Sequence, residues 1–184
     1  MNQHLTFLPI LLPMLAGVIL LMPPFGSNKS YRRITSVTLS TFAFIASLAL
    51  LLKVQADGTQ VYAVGDWSAP FGIVLVADPL STMLVCLTTL LGIVCVLYAS
   101  AGDDEKGSFF HPLVHFLILG VNGAFLTGDA FNLFVFFEVL LIASYSLLMH
   151  GGDKKNTRAA LHYVILNLVG SAIFLIALGI LYGV

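Results

Sequence analysis

Between Phe131 and Met149 the chain reads FNLFVFFEVLLIASYSLLM, an apolar run with a single carboxylate, Glu138, near its centre. A helix crossing the hydrocarbon core of a bilayer needs about 20 such residues. Inside that core every backbone polar group must be satisfied by the segment itself, which leaves a helix as the regular solution for an isolated run. A charge at the bilayer midplane costs at least ~2.5–3.5 kcal/mol even on lenient insertion scales. Glu138 must therefore face a partner, a water-filled cavity or a proton path, or carry a proton itself. An intramembrane carboxylate reads first as a functional group. The competing reading is a neutral, protonated acid that only holds two helices together.

The rest of the chain repeats the pattern. Further apolar runs cover residues 5–22, 34–52, 79–99, 110–127 and 159–182, which with 131–149 make six spans. Hydrophobic residues make up 59% of the 184 and charged residues 9%, against about 25% charged in a soluble domain. The expectation is an all-α polytopic membrane protein, one membrane domain over 1–184 with six transmembrane helices. Pro23-Pro24 closes the first run. Asp78 suits the N-cap of the third and Pro79 its first helical position. The first run lacks a basic leader and an A-x-A-like cleavage site, so it reads as a retained helix. Between the second and third runs, QVYAV and FGIVLV flank GDWSAP, which predicts a short β-hairpin on the outer surface. Such a hairpin is marginal alone and needs helix ends or a partner to rest on; an irregular interfacial loop anchored by Tyr62 and Trp67 is the alternative. The short link Gly128-Asp129-Ala130 forces the fourth and fifth helices into an antiparallel pair.

Basic residues set the orientation. Lys29, Arg32 and Arg33 follow the first run, Lys106 the third, and Lys154, Lys155 and Arg158 the fifth; only Lys53 lies at the other end of a helix. The odd-numbered loops are thus expected in the cytoplasm and the N-terminus outside, in a multi-pass protein of the cell (cytoplasmic or inner) membrane.

Several other polar residues fall within the runs. Tyr145 shares the Glu138 face two turns on and can extend a water chain. In the fourth run His115 follows His111 by one turn and precedes Asn122 by seven residues; in the sixth, His162 adjoins a stripe of Tyr163, Asn167 and Ser171. Histidine titrates near neutrality and can relay protons, so Tyr145, His115 and His162 are candidate relay groups. For the two histidines, plain helix–helix hydrogen bonding is an equally good reading, and for Asn167 and Ser171 it is the better one. Gly120, Ala124 and Gly128 read as a packing seam. Ser36, Ser40, Ser47, Thr88 and Thr89 take the same packing interpretation. No lysine or arginine lies at midplane depth, so an ion-pair partner for Glu138 must come from outside this sequence. Cys86 and Cys95, nine residues apart, fall on opposite faces of a helix and suggest neither a disulfide nor a metal site. A phosphate-binding loop, a metal-ligand cluster and a nucleophile–base pair are all absent from the sequence, so it implies no cofactor, no metal and no enzymatic chemistry on a soluble substrate. A net charge of −1 points to no nucleic-acid partner.

FNLFVFFEVLLIASYSLL resembles the fifth helix of the antiporter-like membrane subunits shared by respiratory complex I and the multisubunit Mrp-type sodium/proton antiporters. VGDWSAPFGIVLVADPLSTMLV is similar to the Mrp-type branch in particular, and RAALHYVILNLVGSAIFLIALGILYG to the family's sixth helix. The resemblance covers the whole chain. It implies that Glu138 is the ion- or proton-gating carboxylate, paired in the family with a lysine on the seventh helix. It also implies about fourteen helices with two inverted repeats, so the chain is expected to be the N-terminal part of a longer protein. The implied function is proton-coupled exchange of sodium or another monovalent cation, in a hetero-oligomeric complex with other membrane subunits in the lipid bilayer. Two alternatives stay open: a proton-pumping membrane component of complex I (NADH:quinone oxidoreductase) or a related hydrogenase, and a scaffold component without an ion path.

Overall fold

The computed structural model describes residues 3–23, 25–26, 28–67, 72–152 and 154–183. A 3-10 turn at Gln3–Thr6 leads into α1 (Leu8–Leu21), followed by α2 (Lys29–Asp57), β1 (Gln60–Ala63), β2 (Val74–Ala77), α3 (Pro79–Ala99), α4 (Phe110–Leu126), α5 (Ala130–Met149) and α6 (Lys154–Gly183). Local signals account for the boundaries. The Asn28 side chain accepts the Ser30 N–H at 3.0 Å and starts α2. That helix overruns the expected 34–52 at both ends, because its charged terminal turns lie beyond the apolar stretch. Gly58, at φ 80°, ends it. Asp78 caps α3 reciprocally: its carboxylate accepts the Ser81 N–H at 2.7 Å and Ser81 Oγ accepts the Asp78 N–H at 2.9 Å. Asp129 caps α5 by accepting the Asn132 N–H at 2.8 Å. Pro24, part of the expected stop after the first run, and the turn of the hairpin at residues 68–71 lie outside the described residues.

The chain has a helical membrane-protein fold. Among the described residues, α2, α3, α5 and α6 are long and apolar enough to cross a membrane, whereas α1 and α4 are shorter apolar helices. Of the six spans expected from the sequence, four correspond to helices long enough to cross, and the runs at 5–22 and 110–127 form only the shorter helices α1 and α4. The short α4 is also the most enclosed, with His111, His115, Ile118, Leu119, Asn122 and Leu126 all buried. A helix surrounded by protein need not match the hydrocarbon thickness by itself.

Helices α1 to α4 pack as a ring: α1 touches α2 and α4, and α3 touches α2 and α4, so that α2 and α4 face each other across the interior. Leu50, Val54, Leu75, Val85 and Leu126 form the main apolar core at one end of this ring. The expected hairpin is present, with β1 and β2 antiparallel and Gln60 opposite Ala77. It rests where a marginal hairpin must. His4 Nδ1 lies 3.0 Å from the Tyr62 hydroxyl, Phe7 stacks on Tyr62, and Gly128 N–H donates to Val74 O at 2.8 Å. Trp67 is exposed.

Asn122 has a structural task. Pro13 sits inside α1 and has no N–H, so the carbonyl of Pro9 loses its helical donor. The Asn122 side-chain amide crosses from α4 and donates to that carbonyl at 2.8 Å. A proline is tolerated within a membrane helix when a neighbour satisfies the freed group in this way.

Helices α4 and α5 are in close contact through Gly120 and Gly123, not through the Gly120, Ala124 and Gly128 row; Gly128 meets β2 instead. A Cβ on Gly120 would lie 2.6 Å from Leu140 Cβ and 2.7 Å from its backbone nitrogen. The backbone of α5 must then move. Gly120→Ala should destabilise the helix pair by about 1–3 kcal/mol, the usual range for overpacking. A fall in the melting temperature of the purified complex, with no comparable fall for Gly170→Ala, where space is open, checks it.

Candidate functional site

Glu138 lies on α5 at the level where α4 and α5 come closest. Gly120 meets Leu140 and Gly123 meets Phe136, so Glu138 sits at the depth of residues 121–122. Its side chain is half-buried, and Oε1 is fully enclosed without a hydrogen-bond partner among the described residues. A buried carboxylate oxygen left unpaired costs about 1–3 kcal/mol, more when charged. Such a site needs water, a proton or a cation to complete it.

Tyr145 lies two turns further along α5, within electrostatic reach of the Glu138 carboxylate. Its ring meets that of Tyr163 on α6 edge-on, with centroids 5.2 Å apart. Two polar residues of the sixth helix bond to its own backbone, Asn167 donating to Tyr163 O at 2.9 Å and Ser171 to Leu168 O at 3.3 Å, while Tyr182 near its end donates to Asp129 Oδ1 at 3.2 Å. His162 is exposed on α6 and is not among the residues brought together around Glu138 or His115.

His115 is placed differently from the other candidates. It is 1% exposed, inside the ring of α1–α4, and belongs to a connected series of buried groups. His115 Nε2 lies 3.0 Å from Ser36 Oγ on α2. The same oxygen lies 3.0 Å from Nδ1 of His111, whose Nε2 lies 3.1 Å from Asp104 Oδ2. Asp104 sits in the short turn between α3 and α4 and is itself fully buried. Arg33 grips it bidentately, donating through Nε to Oδ2 at 2.8 Å and through Nη2 to Oδ1 at 2.6 Å. Arg32, also buried, donates to the Asp104 carbonyl at 3.2 Å. The hydrogen bonds from Arg33, aided by the one from His111 and opposed by burial, hold the Asp104 carboxyl well below the usual carboxylate range. At rest the carboxylate is therefore ionised and acts as an acceptor.

Sequence reasoning singled out His115 but passed over Asp104, Ser36 and Arg33. A signal was there. Arg32-Arg33 and Asp103-Asp104-Glu105 have opposite charge on two loops assigned to the same side of the membrane.

The model of the family described as NADH:quinone oxidoreductase/Mrp antiporter, TM, matches residues 127–184, the part that carries Glu138, Tyr145 and His162. The chain is 42% identical, over 99% of its own length, to a subunit of the Na(+)/H(+) antiporter of Alkalihalophilus pseudofirmus, of which it covers 37%. It is 44% identical, over 98% of its length, to the corresponding subunit of a probable K(+)/H(+) antiporter of Rhizobium meliloti, of which it covers 34%. In the solved Mrp complex of a Dietzia species one chain superposes with a TM-score of 0.90 at 31% identity, covering all of this chain and 35% of that one. A chain of an archaeal respiratory membrane complex, the membrane-bound sulfane sulfur reductase, shares the fold with a TM-score of 0.91 at 24% identity, over 98% of this chain and 37% of that one. The present chain thus spans little more than a third of the length of the relatives it matches. Over nearly its whole length it is a homologue of cation/proton antiporter subunits, and its residues 127–184 match the family model shared by NADH:quinone oxidoreductase and the Mrp antiporters.

Proposed function

We propose that this chain is part of an antiporter-like subunit that exchanges cytoplasmic sodium, or another monovalent cation, for external protons, and that Glu138 is the carboxylate gating the ion path. The observation that carries this reading is the buried Glu138 oxygen, without a partner among the described residues and set in an apolar helix, in a chain whose relatives bear the names of antiporter subunits. A group whose charged form is poorly satisfied in one state and well satisfied in another can change charge during a cycle. Its cationic partner comes from outside this sequence, and Tyr145, with Tyr163 beside it, borders the same path. All six helices cross the membrane in this reading, the short α1 and α4 within the shelter of the ring. The exposed apolar faces of α5 and α6 take lipid, the remainder of the same protein, or other membrane subunits of a hetero-oligomeric complex. The chain then acts as part of a transporter and not as an enzyme.

The test uses the assembled complex in everted vesicles energised with a proton gradient. Adding sodium or potassium should collapse the gradient. The family description also covers quinone oxidoreductases, so the competing reading is a proton pump. Proton movement driven by reduced nicotinamide and quinone, with none driven by cation, would overturn the antiporter in favour of the pump.

Orientation is tested separately. The basic loops place Arg32, Lys106 and Lys155 in the cytoplasm and Trp67 outside. A cysteine at position 67 should react with an impermeant reagent applied to intact cells, and one at 155 should be spared. Labelling of 155 from outside would reverse the topology.

A further inference from the structure

We propose that Asp104, His111, Ser36 and His115 form a proton wire through the interior of the α1–α4 ring, which discharges protons from the depth of Glu138 to the cytoplasmic loops. The proposal rests on the antiport reading and on the orientation above, and names the route by which the proton leaves.

The geometry supplies an unbroken file. Arg33 to Asp104, Asp104 to His111, His111 to Ser36 and Ser36 to His115 are all separations of 3.1 Å or less. Each of the inner groups is buried, so no bulk water short-circuits the series. Its members come from α2, α4 and the turn before α4, and nothing in the local structure of any one element requires them to meet. Hydrogen-bond chemistry orders them. The ionised Asp104 accepts only, so His111 donates through Nε2. A neutral His111 then accepts at Nδ1 from the Ser36 hydroxyl, and the Ser36 oxygen is left to accept from His115 Nε2–H.

A proton arriving at His115 Nδ1 is passed on without any group accumulating charge. The His115 Nε2 proton moves to Ser36, the Ser36 proton to His111 Nδ1, and the His111 Nε2 proton to Asp104. One proton enters at His115 and one stands on Asp104. Arg33 disfavours that protonated form, so Asp104 sheds the proton toward the cytoplasmic loop, where Asp103 and Glu105 are exposed. Rotation of the hydroxyl and a return of the imidazole tautomers reset the file.

The inner end of the file continues as water. Ser40 lies one turn beyond Ser36 on α2, and Asn122 two turns beyond His115 on α4. Ser40 Oγ and Asn122 Oδ1 are both buried and have no hydrogen-bond partner among the described residues. Buried polar atoms without protein partners are the ordinary seats of internal water. The α4–α5 contacts at Gly120 and Gly123 put Asn122 at the depth of Glu138. The unpartnered atoms therefore lie between the end of the file and the depth of the carboxylate.

Ser36→Ala and Ser36→Thr, compared with wild type and Glu138→Gln in the same everted vesicles, test the wire. Alanine removes the one hydroxyl that joins the two imidazoles and adds no bulk; threonine restores it. The expected result is a loss of cation-driven proton movement of at least ~10-fold in Ser36→Ala, with normal amounts of assembled complex, and recovery in Ser36→Thr. Normal transport in Ser36→Ala beside an inactive Glu138→Gln would overturn the wire and leave the antiport reading intact. Failure of both Ser36 variants in proportion to lost assembly would make the cluster a structural clamp and overturn the wire as well. Absence of cation-driven proton movement in wild type would overturn the antiport reading and the wire with it.

Discussion

Glu138→Gln yields a complex that assembles but moves protons at background. Glutamine keeps the shape of the side chain and most of its hydrogen-bonding capacity, yet cannot gain or lose charge. Were Glu138 only an adhesive between helices, glutamine would serve nearly as well, at a cost within about 1 kcal/mol. As a gating carboxylate its loss should lower transport by ~100-fold or more, the usual scale for a positioned proton-transfer group. Glu138→Asp should fall between the two, because the carboxylate survives but is withdrawn by about one methylene from whatever it meets. Sodium-dependent collapse of a proton gradient in everted vesicles, alongside a blot for the assembled complex, separates the cases. Full activity of the glutamine variant would sink the gating role and leave a scaffold protein standing.

Asp104→Ala is the substitution expected to damage stability most. Asp104 is fully buried, bound bidentately by Arg33 and close to the buried Arg32 at 3.7 Å. Removing one member of a buried ion pair costs about 3–5 kcal/mol, because the other charge is left uncompensated. Arg33 is partly exposed and can turn to water; Arg32 cannot, and its Nε is already without a partner among the described residues. The nearby pair of Lys29 and Glu105, 3.4 Å apart and largely exposed, should contribute little, as surface pairs do. Lys29→Ala is therefore the control with near-normal stability. The pH dependence has a definite sign. The Asp104 carboxyl is held below its unfolded value, so its contribution is fully present above the ordinary carboxylate range of about 4 and lost as pH falls below it. The gap in melting temperature between wild type and Asp104→Ala should be wide at neutral pH and begin to narrow only below about pH 4.

These two carboxylates were not equally visible in the amino-acid string. Glu138 stands alone in an apolar run, and the rule that makes it conspicuous is local: a single charge where the solvent is hydrocarbon. Asp104 stands in the polar run Asp103-Asp104-Glu105-Lys106, which reads as an ordinary solvated loop. Its burial depends on Arg32 and Arg33, some seventy positions earlier, being folded over it. Ser36 is a similar case. A serine in a membrane helix commonly bonds to its own backbone, as Ser47 does here to Ala43 O at 2.7 Å. Nothing in its immediate neighbours distinguishes Ser36, which instead bridges two histidines. The glycine seam was half legible. Small residues every four positions on α4 signalled close packing, but which ones face α5 depends on how the two helices are rotated about their axes.

Local chemistry was enough to mark where the helices run, where Asp78 starts one of them, that a hairpin joins α2 to α3, that α4 and α5 pair antiparallel, and that Glu138 lies in apolar surroundings. All of these follow from interactions within a few residues or from the solvent a segment must meet. Three features came only with the assembled helices: α2 and α4 face each other across the ring, Asn122 mends the break Pro13 leaves in α1, and Asp104, His111, Ser36 and His115 form one buried file while His162 stays apart. These depend on helix rotation and on contacts between residues far apart in the chain, which hydrophobic periodicity constrains only loosely when almost every face of a helix is apolar.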